Sequence, residues 1–243
     1  MDALSKAPIT EHVSGSGLAP ISIPRAEHST SGVSVEYVYD PAKSWFVFRA
    51  SYGREDKVAD LLITAGHYVY VAKRYEWRLE NGRRRKELKN LIPNILFIYI
   101  GKDEAESILS RNEEKPSPIP ELASITSFYY NHFIIVGGKN PPLEIPTYQM
   151  LNFIDITKSK DENVIYAQSG NIVHVKNNDY VRVRCGKFEG CMGLVVRVAG
   201  QQRVGLQLAD LGWVATSYVP TAFLEVVSKE IYETHLNALK ESE

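Results

Sequence analysis

After residue 177 the apolar side chains fall into a period of two and hold it almost to the end of the chain. The runs "DYVRVRC", "MGLVVRV", "RVGLQLA", "GWVATSYV" and "FLEVV" are short, rich in β-branched residues and separated by glycine or polar turns. Five such runs in about fifty residues predict a small β-barrel. The sequence before them mixes helical and strand periods, so the chain divides into two parts of different character. With 243 residues, 44% of them hydrophobic, it can bury one or two modest cores.

The first part begins in earnest at Ser44. Residues 1–43 are rich in Ser, Gly, Pro and Ala, a composition that buries too little apolar surface to offset ordering entropy, and are expected to form a largely disordered tail. Within it the alternation of Val33, Val35, Tyr37 and Tyr39 allows a short strand. Trp45 to Phe48 predicts a buried strand. Val58, Leu61, Leu62 and Ala65 then recur at helical spacing, with Glu55 and Asp56 in the first turn and Gly66 placed to stop the helix. "HYVYVAKR" predicts a second strand. "WRLENGRRRKEL" predicts a hairpin, because Asn81-Gly82 supplies the two residues of positive φ that a type I′ turn needs. "LIPNILFIYI" is apolar on both faces and predicts a central strand. A short polar helix over 103–111, a loop at "EEKPSPIPE", a fourth core strand at "HFIIVGG" and a helix from Pro146 presenting Met150, Leu151 and Ile154 complete the pattern. The order β-α-β-β-α-β plus a helix is a split βαβ arrangement, an antiparallel sheet with helices, giving an α+β class. The expected boundaries are 44–157 for this unit, 158–177 for a polar linker, 178–228 for the barrel and 229–243 for a tail with one or two helical turns.

Chemistry is sparse. Cys185 and Cys191 have no neighbouring Cys or His pair, so four zinc ligands cannot assemble locally. Strand alternation places Val181, Val183 and Cys185 on one face, so Cys185 is expected in the core. "GKFEG" and "VGGKNPP" lack the spacing and the hydroxyl of a phosphate-binding loop. The six histidines are scattered, and no GxSxG elbow is present. No catalytic residue, metal site or cofactor is expected, and the protein is read as a non-enzyme. A formal net charge of −1 removes a global pull towards nucleic acid and leaves only local patches. The chain shows no secretory leader pattern and no run of the ~18 apolar residues a membrane span requires, so a cytoplasmic protein with no membrane partner is expected.

The glycines between the first two barrel strands carry more information. Gly186, Gly190 and Gly193 bracket Phe188, and with the flanking valines they match the spacing of a KOW motif. Together with "SWFVFRASYGREDKVADLL", "LIPNILFIYI" and "HFIIVGG" in that order, the chain from Ser44 to Val227 resembles the NusG family of transcription elongation factors, an NGN domain joined by a linker to a KOW domain. "PNILF", "GLVVRVAGQQRVGLQL" and "WVATSYVPTAFLE" are similar to the specialised UpxY-type antiterminators of capsular polysaccharide operons. The resemblance implies an NGN α/β sandwich and an SH3-like KOW barrel.

It also implies a function. Family members bind the clamp helices of RNA polymerase through an apolar depression on the NGN domain and suppress pausing or termination. Motif by motif this role passes to Pro93, Ile95 and Phe97 on the central strand, Val136 on its neighbour and Ile92 at the rim. Alternate residues of that strand must pack beneath helices, and the alternation leaves open which parity is the core face. The His-Thr-Thr element of some relatives is replaced by "ESI" at Glu106 to Ile108. Arg83, Arg84, Arg85 and Lys86 form the densest basic cluster; they could meet upstream or non-template DNA phosphates or make a solvated hairpin face, with Arg54 and Arg74 as weaker members. The resemblance further implies a monomer whose KOW domain recruits a ribosomal protein or a termination factor. A ribosome-associated or RNA-binding KOW protein is the alternative reading.

Overall fold

The computed structural model describes residues 23–168, 174–198 and 200–234, with 168 and 174–179 as backbone alone. The expected tail residues 1–22, part of the linker and the end of the C-terminal tail lie outside them. The first described elements are the two-residue strands β1 (Ala26–Glu27) and β2 (Ser34–Val35), which pair antiparallel. Residues 23–43 are not a free tail. Tyr37 stacks on Trp45 at 5.6 Å and lies 4.9 Å from Tyr99, while the Tyr99 hydroxyl donates to the Asp40 carbonyl at 2.8 Å. The alternating tyrosines hold this segment because they land on an aromatic surface.

The main sheet follows the split βαβ expectation. β3 (Ser44–Ala50) leads through α1 (Glu55–Thr64) to β4 (Tyr68–Tyr70), and β7 (Ile95–Ile100) inserts between them in the order β4-β7-β3-β8. All pairings are antiparallel. α1 has no side-chain cap; Glu55 and Asp56 complement its N-terminal dipole, and Gly66 follows it at φ +89°. Between β4 and β7 the chain makes the two-stranded ribbon of β5 (Lys73–Glu80) and β6 (Arg83–Asn90), closed by Asn81 and Gly82 at φ 49° and 75°. The type I′ geometry matches the ribbon's twist, and glycine takes its place there without strain.

After β7 come α2 (Lys102–Ile108), the unforeseen short helix α3 (Pro120–Ile125), β8 (Thr126–Phe128), β9 (Glu144–Ile145) and α4 (Thr147–Thr157). β8 and β9 lie along the same edge of β3. The expected fourth strand at "HFIIVGG" is therefore displaced: β8 takes that place, and residues 132–138 leave the sheet. Asn131 causes the exit. Its Oδ1 accepts from the amides of Phe133 at 2.8 Å and Ile134 at 3.1 Å, while Asn140 Nδ2 donates to the Asn131 carbonyl. These bonds offer the backbone an alternative to the ladder. Val136 and Lys139 exchange both backbone bonds across Gly137-Gly138, so the excursion ends in a tight two-residue turn.

The C-terminal strands form one antiparallel sheet in the order β10-β14-β13-β12-β11-β15, where β10 is Ile165–Gln168, β11 His174–Val183, β12 Met192–Val198, β13 Gln201–Leu208, β14 Gly212–Ala215 and β15 Leu224–Val227. All five expected strands are present. The stretch read as a linker contributes β10, which pairs with β14. A 3-10 turn at Thr221–Phe223 precedes β15, and residues 229–234 are helical, with Tyr232 stacked on Tyr180 at 4.4 Å.

α4 lies between the two sheets. Met150, Phe153, Ile154 and Ile156 are fully buried, as expected for a helix with apolar contacts on more than one side. Phe153 packs on Phe97, Gln149 Oε1 accepts from the Ala209 amide at 2.7 Å, and Asp155 Oδ2 accepts from the Cys191 thiol at 2.9 Å. One apolar cluster consequently runs through both units. Cys185 corrects the sequence expectation. β11 ends at Val183, alternation stops there, and Cys185 is exposed in the following turn; Cys191 is the buried cysteine.

Candidate docking and nucleic-acid surfaces

The central strand shows how β7 divides its residues. In the antiparallel register Trp45 faces Tyr99 and Val47 faces Phe97, so Ile95, Phe97 and Tyr99 share a face with Trp45, Val47, Tyr68 and Tyr70. That face is covered. Phe97 is 0% exposed with its ring 5.1 Å from Phe153, and the Tyr70 hydroxyl meets Thr157 Oγ1 at 2.7 Å. Burial pushes the Tyr70 phenol far above its ordinary pKa, as a dry site should. Leu96, Ile98 and Ile100 on the other face are buried as well. Both parities are core.

The five residues expected to dock on polymerase therefore separate. Ile92, Ile95 and Phe97 are buried, while Pro93 is exposed in the turn before β7 and Val136 is 64% exposed on the excursion. Pro93 is not part of the strand. Asn94 follows it at φ +62°, donates its amide to Glu55 Oε1 at 2.5 Å and accepts the Gly53 amide on Oδ1 at 3.0 Å. Asparagine tolerates this backbone, and the buried Glu55 carboxylate supplies the acceptor. Beside Val136 stand Phe133 at 72%, Ile134 and Ile135, all exposed. Four consecutive exposed apolar residues on a tight loop are a patch that the sequence reading missed, because the same run also reads as a buried strand.

The hairpin is the second surface. It carries eight cationic side chains against three carboxylates between Lys73 and Asn90. Arg83, Arg84, Arg85 and Lys86 are all exposed on β6. Arg85 pairs with Glu80 at 3.5 Å and Lys86 with Glu162 at 3.2 Å. Arg74 is held structurally: it binds Glu76 at 2.6 Å and donates to the Val164 carbonyl at 3.0 Å. Arg54 sits apart at the start of α1. Thus β6 brings four of the six expected nucleic-acid residues together.

The glycine-bracketed turn of the second unit is structural. Gly186 and Gly190 have φ of +91° and +87°, which L-side chains rarely adopt, and Phe188 between them is buried in the common core. Gly193 answers to space instead: a Cβ there would stand 2.5 Å from the Gly205 carbonyl oxygen. Lys187 pairs with Asp161. Burial alone would raise the Asp161 carboxyl, but hydrogen bonds from Lys187, the Asn163 amide and Ser217 outweigh it and hold the carboxyl below its usual range. Among the described residues no cluster of His, Cys, Asp and Glu could hold a metal, and no helix is long and apolar enough to cross a membrane.

Residues 43–154 match the family model "Transcription termination factor nusG". They include the entire main sheet, the hairpin, the apolar excursion and most of α4. The chain is also similar to the solved structure "Domain interaction in Thermotoga maritima NusG", at 20% identity over 76% of this chain and 98% of that one, with a TM-score of 0.31. No curated protein matches the chain.

Proposed function

We propose that this protein is a transcription elongation and antitermination factor that binds RNA polymerase through its NusG family domain. The observation carrying this reading is the family match over residues 43–154, and proteins of that family are non-enzymatic transcription factors that bind RNA polymerase. In this reading residues 44–157 are an NGN domain docking on the polymerase clamp helices, and residues 178–228 are a KOW domain open to a ribosomal protein or a termination factor. The polysaccharide-operon role rests on the likeness of "PNILF" and "GLVVRVAGQQRVGLQL" to UpxY-type sequences.

The exposed apolar residues Phe133, Ile134, Ile135 and Val136 are the docking surface we assign, and Pro93, exposed in the turn before β7, is a separate candidate contact. Phe97 and Ile95 are buried in the sheet and act through folding rather than by touching the partner. Burying such side chains is worth ~1.5–3 kcal/mol each before association costs, enough for a specific contact. Arg83 to Lys86 would meet DNA phosphates beside the polymerase, with a salt-dependent affinity.

Co-purification with core RNA polymerase tests this. Wild type should bind at low salt, and Phe133→Asp with Ile135→Asp should bind at least tenfold more weakly, a loss of about 1.4 kcal/mol. Absence of wild-type binding contradicts the functional reading. Equal binding by the variant leaves that reading intact and removes the excursion as the docking surface.

A further inference from the structure

The hairpin has two unlike faces. Directly opposed residues of an antiparallel pair share a face. Arg74 with Lys89, Glu76 with Glu87, Arg78 with Arg85 and Glu80 with Arg83 form one. All three hairpin carboxylates lie there and pair with Arg74, Arg78, Arg85 and Lys89. The other face sets Tyr75 opposite Leu88, Trp77 opposite Lys86 and Leu79 opposite Arg84. It contains no hairpin carboxylate. Trp77 is 57% exposed and Leu79 70%. The Lys86 ammonium lies 4.9 Å from the Tyr75 ring centroid and 5.5 Å from that of Trp77.

An exposed indole between cations, on a ribbon that helps bury no core at its tip, is costly to keep in water without a partner. We propose that this face binds single-stranded nucleic acid, with Trp77 as the stacking platform for a base and Arg84 and Lys86 meeting the flanking phosphates. Base faces are open in a single strand and closed in a duplex, whereas aromatic stacking accepts any base and the cations follow the backbone. The pattern of ion pairing supports the same occupant. On the opposite face four of the five cations are paired with the hairpin's own carboxylates, whereas on this face Arg84 has no ion pair among the described residues and the one ion pair of Lys86 is with Glu162 outside the ribbon, which a phosphate would displace. The inference rests on the reading of the basic hairpin as a nucleic-acid contact and specifies its ligand; it does not require the polymerase contact.

The test uses the full chain and fluorescence anisotropy with labelled oligothymidylate, oligouridylate of equal length and a matching DNA duplex. Wild type should bind a single strand more tightly than the duplex. Trp77→Ala should weaken single-strand binding about tenfold, since one base–aromatic stack is worth ~1–3 kcal/mol. Trp77→Phe should stay within about threefold of wild type because a ring remains. Arg84→Glu with Lys86→Glu should flatten the salt dependence, which Trp77→Ala should leave unchanged. Tighter binding by thymidylate or by uridylate names the natural strand, and either supports the proposal. Equal binding by Trp77→Ala and wild type, preference for duplex, or no binding to any probe at low ionic strength overturns it. Because Trp77 is away from the apolar excursion in sequence and on an exposed ribbon, Trp77→Ala should still co-purify with polymerase. Loss of polymerase binding by wild type alongside intact Trp77-dependent strand binding would remove the functional reading and leave this one standing.

Discussion

β6 and β7 are consecutive strands of opposite kinds. β6, "RRRKELKN", has side chains exposed on both faces of a two-stranded ribbon, while β7, "ILFIYI", has none exposed on either face of the main sheet. Four residues separate them, and the left-handed Asn94 turns one into the other. The contrast teaches that this unit keeps stability and recognition on different strands. Changes on β7 should act through folding, and changes on β6 through binding.

The largest expected effect is on β7. Phe97→Ala removes a ring packed on Phe153 and should destabilise the protein by ~3–5 kcal/mol in urea unfolding, whereas Arg84→Ala should stay within about 0.5 kcal/mol. Comparable losses from both would break the division. Gly193→Ala comes next, at ~1–3 kcal/mol, because its Cβ meets the Gly205 carbonyl. The backbone blocks it, so repacking of side chains gives little relief. Gly82→Ala should cost about 1–2 kcal/mol, confined to the ribbon. Hydrogen exchange should quicken in β5 and β6 while β3 and β7 keep their protection; faster exchange throughout would show that the ribbon is coupled to the sheet.

The smallest effect concerns the contact of the second unit with the segment after α4. The Asp161 carboxyl is held low in the folded protein, so its pairing stabilises above the ordinary carboxylate pKa. That contribution is lost as pH falls from about 4 through the lowered folded value. Lys187→Ala should reduce this acid dependence, the Asn163 amide and Ser217 still holding the carboxylate, at a cost under about 1 kcal/mol at neutral pH, Lys187 being half exposed. An unchanged stability profile between neutral pH and the acid limb would contradict the pairing.

Much of this was readable from sequence. The Asn81-Gly82 hairpin, the helix closed by Gly66 and the period-two strands announced themselves because each rests on local backbone preference or a simple alternation. "HFIIVGG" did not, since its fate was decided by Asn131 and Asn140 side chains bonding to nearby backbone, a competition invisible to apolar periodicity. Phe97 and Ile95 were legible as apolar but not as covered, because burial on that face depends on where α4 and residues 24–40 settle. Cys185 failed for a single reason: alternation was carried two residues beyond the end of its strand. Trp77 was hidden by the arginines beside it; only the cross-strand register reveals that it shares a face with Lys86 and not with the hairpin's carboxylates.

The most direct measurement is elongation by purified core RNA polymerase across a template with a defined pause. The account predicts that wild type shortens the pause or raises read-through, and that Phe133→Asp with Ile135→Asp loses the effect while unfolding at the same urea concentration. No change in pausing or termination with saturating wild-type protein would contradict it.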